Sequence, residues 1–304
     1  MRCPAEDQLN DYITICGHHI FPAYLIQGHE SNLMIEAGVN ILGPCYKKDI
    51  EMIIGEKEEL DYLFVTHLHY DHMGALPYLK RMIPSVQLGA SEKAAQTIKK
   101  EAVVKTLNFL SDQLQGYFGD LSRKGNSDDV SIESVNFECI LKEGDRYNIG
   151  GITCEVFETP GHTRDHLSFY LPEPGILFPG EAFGNPIRED ETAVKVEFLT
   201  SYTDYIASME KLMLLKPRIV AMSHLYFYEG YDNVQLLFDR SYRATLDYRE
   251  LIESHLDAVH GDIEVAVDRM VRIEYDEKGN IYQERNAYIA NIRAQIKAIA
   301  ELKS

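Results

Sequence analysis

The 304-residue sequence has no tryptophan, only 5 cysteines, and far fewer basic side chains than acidic ones, 30 against 48. Each shortage excludes something. A formal net charge of -18 repels a phosphate backbone instead of releasing its counterions, so nucleic acid is not an expected partner. The same acidity disfavours an anionic membrane surface. Cys3, Cys16, Cys45, Cys139 and Cys154 form no C-x-x-C pair, which argues against a zinc ribbon and against a thioredoxin-like motif. Their expected state is reduced and mostly buried. No apolar run approaches the length of a membrane span. The stretch from Met1 to Gln8 lacks the basic and then apolar regions of a secretory signal, so cytoplasmic residence is the expectation. Low-complexity tracts, short solenoid repeats and a phosphate-binding glycine loop are also lacking.

What is present alternates strand and helix. Tyr12 to about Gly38 reads as three short strands (YITICG, FPAYLIQG, NLMIEAG) parted by Gly17, Gly28 and Asn32. A helix is predicted from Asp49 to Ile54, a buried strand from Tyr62 to Thr66, a helix from Asp71 to Lys80 and a strand from Val86 to Ala90. From Glu92 to about Arg123, Val103, Leu107, Leu110, Leu114, Phe118 and Leu121 share one helical face, giving one long helix or two. The stripe reads most simply as core or dimer packing, and a lid over a substrate is the sharper alternative. The break Gly125-Asn126-Ser127-Asp128-Asp129 ends it. Strands then follow at Val135–Leu141, Ile152–Thr159 and Leu167–Tyr170, and after His224 the pattern turns helical, with Ile289, Ile292, Ile296 and Ile299 on the last helix.

The chemistry concentrates in His67-Leu68-His69-Tyr70-Asp71-His72, directly after the predicted strand Tyr62–Thr66. Imidazole and carboxylate are the ligands that zinc, iron and manganese accept, and their convergence at a strand end points to a metal site. The spacing suggests that His67 and His69 face one metal while Asp71 and His72 face another, a two-metal centre. Further ligands stand at other strand ends: His162 in Thr159-Pro160-Gly161-His162-Thr163, Glu181 in Leu177-Phe178-Pro179-Gly180-Glu181, and His224 after Ile219-Val220-Ala221-Met222-Ser223. One metal would take His67, His69 and His162, the other Asp71, His72 and His224, with Glu181 bridging. The remaining histidines His18, His19, His29, His255 and His260 read as packed or exposed residues without a ligand role. His166 reads as supporting, held by Asp165.

At these positions the sequence resembles the metallo-β-lactamase superfamily, whose pattern is H-x-H-x-D-H, a histidine after a glycine, a bridging acid and a last histidine. Within it, Thr66 to His72, Leu76-Pro77-Tyr78-Leu79, Ala90-Ser91-Glu92 and Asp165-His166 with Phe169-Tyr170 resemble the quinolone-signal response thioesterases. The resemblance implies a four-layered αββα sandwich of the α/β class, a dinuclear zinc or iron centre and a helical C-terminal part covering the pocket. On that basis residues 1–232 form the sandwich domain, with a helical insertion at about 92–124, and 233–304 a helical extension. Two departures stand out: Glu181 replaces the family's aspartate, and Met222-Ser223 with Leu225 replaces Pro-Gly before the last histidine and Gly after it.

The activity that follows is hydrolysis of a small ester-like bond, a thioester foremost, with a lactone needing the same site. Two divalent metals would lower the pKa of bound water from ~16 to about 7 and supply hydroxide, which Asp71 would orient. Tyr70 would donate to the developing oxyanion. The expected partner is a small-molecule substrate, and the apolar insertion stripe is compatible with a homodimer. Rival readings are an iron-dependent redox enzyme of the flavo-diiron or persulfide dioxygenase kind, and a non-catalytic metal-binding regulator motivated by Glu181.

Overall fold

The computed structural model describes residues 2–6, 8–55, 60–115, 128–187, 190, 192–279, 281 and 285–302. Its elements follow in chain order. Strands β1 (Arg2–Pro4), β2 (Gln8–Asn10), β3 (Ile13–His18), β4 (Phe21–Gln27) and β5 (Asn32–Ile35) precede helix α1 (Gly43–Ile54). Strand β6 (Tyr62–Phe64) leads into helices α2 (Tyr70–Met73) and α3 (Leu76–Met82), and β7 (Gln87–Ser91) into α4 (Glu92–Thr97) and α5 (Glu101–Gln115). Then come β8 (Cys139–Leu141), β9 (Arg146–Asn148), β10 (Thr153–Glu158), β11 (Leu167–Leu171), β12 (Ile176–Phe178), β13 (Asn185–Pro186) and β14 (Val194–Lys195). Helix α6 (Tyr202–Met213), strands β15 (Ile219–Ala221) and β16 (Tyr226–Glu229), and helices α7 (Tyr231–Ala258), α8 (Ile263–Met270) and α9 (Arg285–Leu302) complete the chain, with a π-helical stretch at Val271–Glu277.

Two compact units emerge: Met1–Glu158, Asp165–Gly180 and Lys216–Val234 form the first, and Thr159–Arg164, Glu181–Leu215 and Gln235–Ser304 the second. The first holds two mixed sheets of seven strands, ordered β2-β3-β4-β5-β6-β7-β8 and β1-β16-β15-β12-β11-β10-β9. Strands β5 to β8 run parallel, as do β12 and β15. The architecture is the α/β sandwich expected from the sequence, two mixed sheets flanked by helices with further helical segments.

Alternation along the strands explains the layering, because successive strand side chains point to opposite faces. In β4, Phe21, Ala23 and Leu25 join one core cluster with Tyr46 and Ile50 of α1 and Leu76 and Leu79 of α3. Tyr24 and Ile26 join the other, with Val156, Phe169 and Phe178 from the opposing sheet. A strand buried on both faces reads as a near-continuous apolar run, as FPAYLI does. Among the described residues no helix is long and apolar enough to cross a membrane.

Several element boundaries differ from the sequence reading, each for a local reason. Helix α1 begins at Gly43, ahead of the predicted Asp49, because Pro44 stands in its first turn, where a missing N–H costs nothing. The single helix predicted over Asp71–Lys80 is two. Between them the N–H groups of Gly74 and Ala75 bond Gly38 O at 2.7 Å and Ala37 O at 3.1 Å. Pro77 follows in the first turn of α3. The strand predicted over Val135–Leu141 shortens to Cys139–Leu141, since Leu88 N–H is taken by the Glu138 carboxylate at 2.9 Å and not by a backbone carbonyl.

The insertion divides into α4 and α5, with Ser91 Oγ capping α4 through Ala94 N–H at 3.2 Å. Leu107 is buried in the first unit's core, and Val103 and Leu114 pack against it. Ser111 of α5 hydrogen-bonds the Asn40 side chain. Phe118 and Leu121, and the break from Gly125 to Ser127, lie outside the described residues.

Candidate metal centre

In the first unit the chain leaves β6 through Val65 and Thr66 and enters the histidine cluster at the carboxyl end of the parallel strands, where open α/β sheets place their ligands. His67 and His72 are buried, and His69 and Asp71 half-buried. The rings of His67 and His69 stand with centroids 4.4 Å apart and those of His67 and His72 4.1 Å apart. Leu68 N–H, inside the cluster, donates to Asp165 Oδ2 at 2.9 Å, so this carboxylate braces the loop itself. His166, expected to support the site, lies with its ring centroid 5.0 Å from that of His67.

The last histidine reaches the same cluster. His224 stands between β15 and β16, and its ring centroid is 5.1 Å from that of His72. Leu225, just after it, adopts φ +64, the left-handed conformation that favours glycine. Its N–H bond to His19 O at 2.7 Å holds it there. Asp71, His72 and His224 each offer a ligand atom within 4.8 Å of the others.

His72 Nε2 lies 4.0 Å from Asp71 Oδ1, and His224 Nε2 lies 3.9 Å from Asp71 Oδ2. These separations exceed a hydrogen bond. Two ligand atoms each ~2.1 Å from one zinc stand roughly 3.4 Å apart at the tetrahedral angle and at most about 4.2 Å, so a shared ion fits.

The opposite ring nitrogens explain the aim. His72 Nδ1 is 3.1 Å from Glu36 Oε1, and His224 Nδ1 is 2.7 Å from Ile20 O. His67 Nδ1 is 2.9 Å from Thr66 Oγ1, whose own hydroxyl donates to Glu36 Oε1 at 2.7 Å. Histidine ligands are held in this way, the second nitrogen donating its proton so that the first keeps a lone pair for metal.

Glu36 is the functional residue that the sequence reading missed. It is 2% exposed, at φ +73, and its Oε1 also accepts from Ser223 Oγ at 3.1 Å. One carboxylate thus gathers Thr66, His72 and Ser223, each in or beside a ligand-bearing loop. Its sequence signal was an acid at a strand end in Glu36-Ala37-Gly38, the same context that singled out Glu181.

The second unit carries the other two candidates. His162 Nε2 and Glu181 Oε2 are 2.7 Å apart, both residues buried, and Glu181 Oε1 accepts from Asn185 Nδ2 at 2.7 Å. His162 Nδ1 donates to Glu197 O at 2.6 Å. Burial works against protonation of His162, but the Glu181 carboxylate outweighs it and the pKa is raised. Gly161 is at φ +134, and a Cβ there would stand 2.4 Å from the Tyr205 backbone, so only glycine admits this approach before His162.

The histidines read as non-ligands enter no ligand group among the described residues. His18 and His19 stack on each other at 4.3 Å. None of the five cysteines is in a disulfide, and burial raises the thiol pKa of Cys16, Cys45, Cys139 and Cys154, which leaves no thiolate nucleophile among those four.

The sequence profile described as the metallo-beta-lactamase superfamily matches residues 22–224. The chain belongs to that superfamily. A metallo-beta-lactamase fold-containing protein of Sulfurisphaera tokodaii is 28% identical over 213 residues, covering 67% of this chain and 72% of its own. A hydroxyacylglutathione hydrolase of Rippkaea orientalis is 25% identical over 210 residues, covering 67% of this chain and 68% of its own. The crystal structure of a metallo-beta-lactamase family protein of Thermus thermophilus superposes with a TM-score of 0.61 at 16% identity, over 100% of this chain and 93% of that one, which shows the shared fold. Superfamily membership and the clustered His, Asp and Glu groups together make this a metal-binding hydrolytic site.

Proposed function

We propose that the chain is a hydrolase that cleaves a small thioester with two divalent metal ions, zinc or iron, manganese being chemically admissible. His67, His69 and His162 would hold one ion and Asp71, His72 and His224 the other, with Glu181 as the acid shared between them. The observation that carries this reading is the aim of the imidazoles: His72 and His224 spend Nδ1 on Glu36 and Ile20 and turn Nε2 toward the two oxygens of Asp71. What joins His162 and Glu181 to this set is ligand order along the chain, which follows the superfamily pattern. Metal held there would supply a water of pKa about 7 and a Lewis acid for the substrate carbonyl. Asp71 orients the attacking water, and Tyr70, half-buried beside the ligands, donates to the oxyanion.

The thioester clause draws support from the name of the Rippkaea relative, since a hydroxyacylglutathione is a thioester, and from the sequence's resemblance to quinolone-signal response thioesterases. The test is elemental analysis of protein purified without added metal, beside His69→Ala, with hydrolysis of acyl-coenzyme A, hydroxyacylglutathione and acyl-homoserine lactone. About two metals per chain, lost with thioesterase activity in the variant, is the expected result. Lactone turnover alone would replace the substrate class, and a protein that takes up no metal would overturn the reading.

A further inference from the structure

Helix α9 turns two amides into the second unit, one helical turn apart. Asn291 Nδ2 donates to Glu197 Oε1 at 2.7 Å, and Gln295 Nε2 donates to Val196 O at 3.0 Å. Lys195 Nζ approaches the same Glu197 oxygen at 2.8 Å. The next carbonyl along, Glu197 O, is the one that accepts His162 Nδ1–H at 2.6 Å.

Strand β14 ends at Lys195, so Val196 and Glu197 have no strand ladder to set the rotation of their peptides. The buried side chains of Val196 and Phe198 fix where the segment runs, but hydrogen bonds decide where its carbonyls point. Gln295 is 3% exposed and Glu197 8%, which shields these bonds from exchange with water. A rotation at Val196–Glu197 would swing the acceptor away from Nδ1 and release the imidazole tautomer that leaves Nε2 for a metal.

We propose that Asn291 and Gln295 are positioning residues for His162, acting through the Val196–Glu197 backbone, so that the C-terminal helix controls metal affinity at that ligand. The inference rests on the proposed role of His162 as a ligand. It assigns α9 a task beyond packing, although Ile292, Ile296 and Ile299 of the same helix are buried and serve that too.

The test uses the full chain with Asn291→Leu and Gln295→Met, both close to the native volume but without the amide. Arg293→Ala is the control, since it breaks the exposed α9 ion pair with Glu264 at 2.9 Å and touches neither amide contact. Zinc affinity is read by chelator competition, thermal unfolding on metal-free protein, and proton exchange of His162 Nδ1–H by NMR. Each amide variant should lose about 10- to 100-fold in zinc affinity, with faster His162 Nδ1–H exchange, while Arg293→Ala keeps the parent values. Unchanged affinity and exchange in the amide variants would overturn the proposal and leave the metal reading standing. An equal loss in Arg293→Ala would also overturn it, as a general effect of the helix. A parent that binds no zinc overturns both readings. Should Asn291→Leu fail to fold, Gln295→Met decides the matter.

Discussion

Glu36 Oε1 and His72 Nδ1 are 3.1 Å apart in a fully buried setting, the acid ending one parallel strand and the imidazole lying beyond the end of the next. Glu36→Ala leaves Thr66, Ser223 and His72 without this acceptor. The expected cost is about 1–3 kcal/mol of stability in metal-free protein. Zinc affinity should fall about 10- to 100-fold, measured by chelator competition. Loss of stability with unaltered metal affinity would reduce Glu36 to a packing role.

Glu181 is held by both oxygens, Oε2 toward His162 and Oε1 by Asn185. Glu181→Asp withdraws the carboxylate by one methylene and cannot keep both contacts. On the proposed function, metal content and thioester hydrolysis should both drop. A gain of activity would instead favour the non-catalytic regulator as the state of the natural chain.

Gly161→Ala places a Cβ 2.4 Å from the Tyr205 backbone at a φ of +134. Strain of this kind costs on the order of 1–3 kcal/mol, and the loop carrying His162 must move to relieve it. Calorimetry should show a lower midpoint and metal analysis a lower content. Gly55→Ala, with nothing within 4 Å of its Cβ, should leave metal content intact.

His255 in α7 sets a pH dependence away from the metal ligands. Burial, then the charge of Arg269, lowers its pKa below the ordinary 6.5. A depressed histidine favours the neutral form in the fold, so its contribution to stability is intact above pH 6.5 and is lost as pH falls through the lowered value. The unfolding midpoint should therefore fall less in His255→Gln than in the parent between pH 7.5 and 5.5. Parallel curves would show that His255 does not carry the effect.

Much of the candidate site was legible because its signals are local. His67, His69, Asp71 and His72 follow one apolar strand within a few residues, and His162, Glu181 and His224 each follow another. Glu36 showed in the sequence only as an acid at a strand end and its role was hidden, because its task exists only where β5 pairs with β6 and the loop after β15 brings Ser223 to the same oxygen. The two-helix break at Gly74 was hidden for the same reason: the acceptors that end α2 are the carbonyls of Ala37 and Gly38, set there by tertiary contact.

The sequence by itself determined the fold class, through two-sided apolar strands alternating with helices, and the ligand types, through residue chemistry that no folding can change. Only the tertiary structure decided which nitrogen His72, His224 and His162 present. That choice depends on a partner for Nδ1, and the partners Glu36, Ile20 and Glu197 stand 36, 204 and 35 residues away along the chain. Hydrogen-bond direction is a property of atoms in space, and sequence spacing encodes it only when both partners share one element.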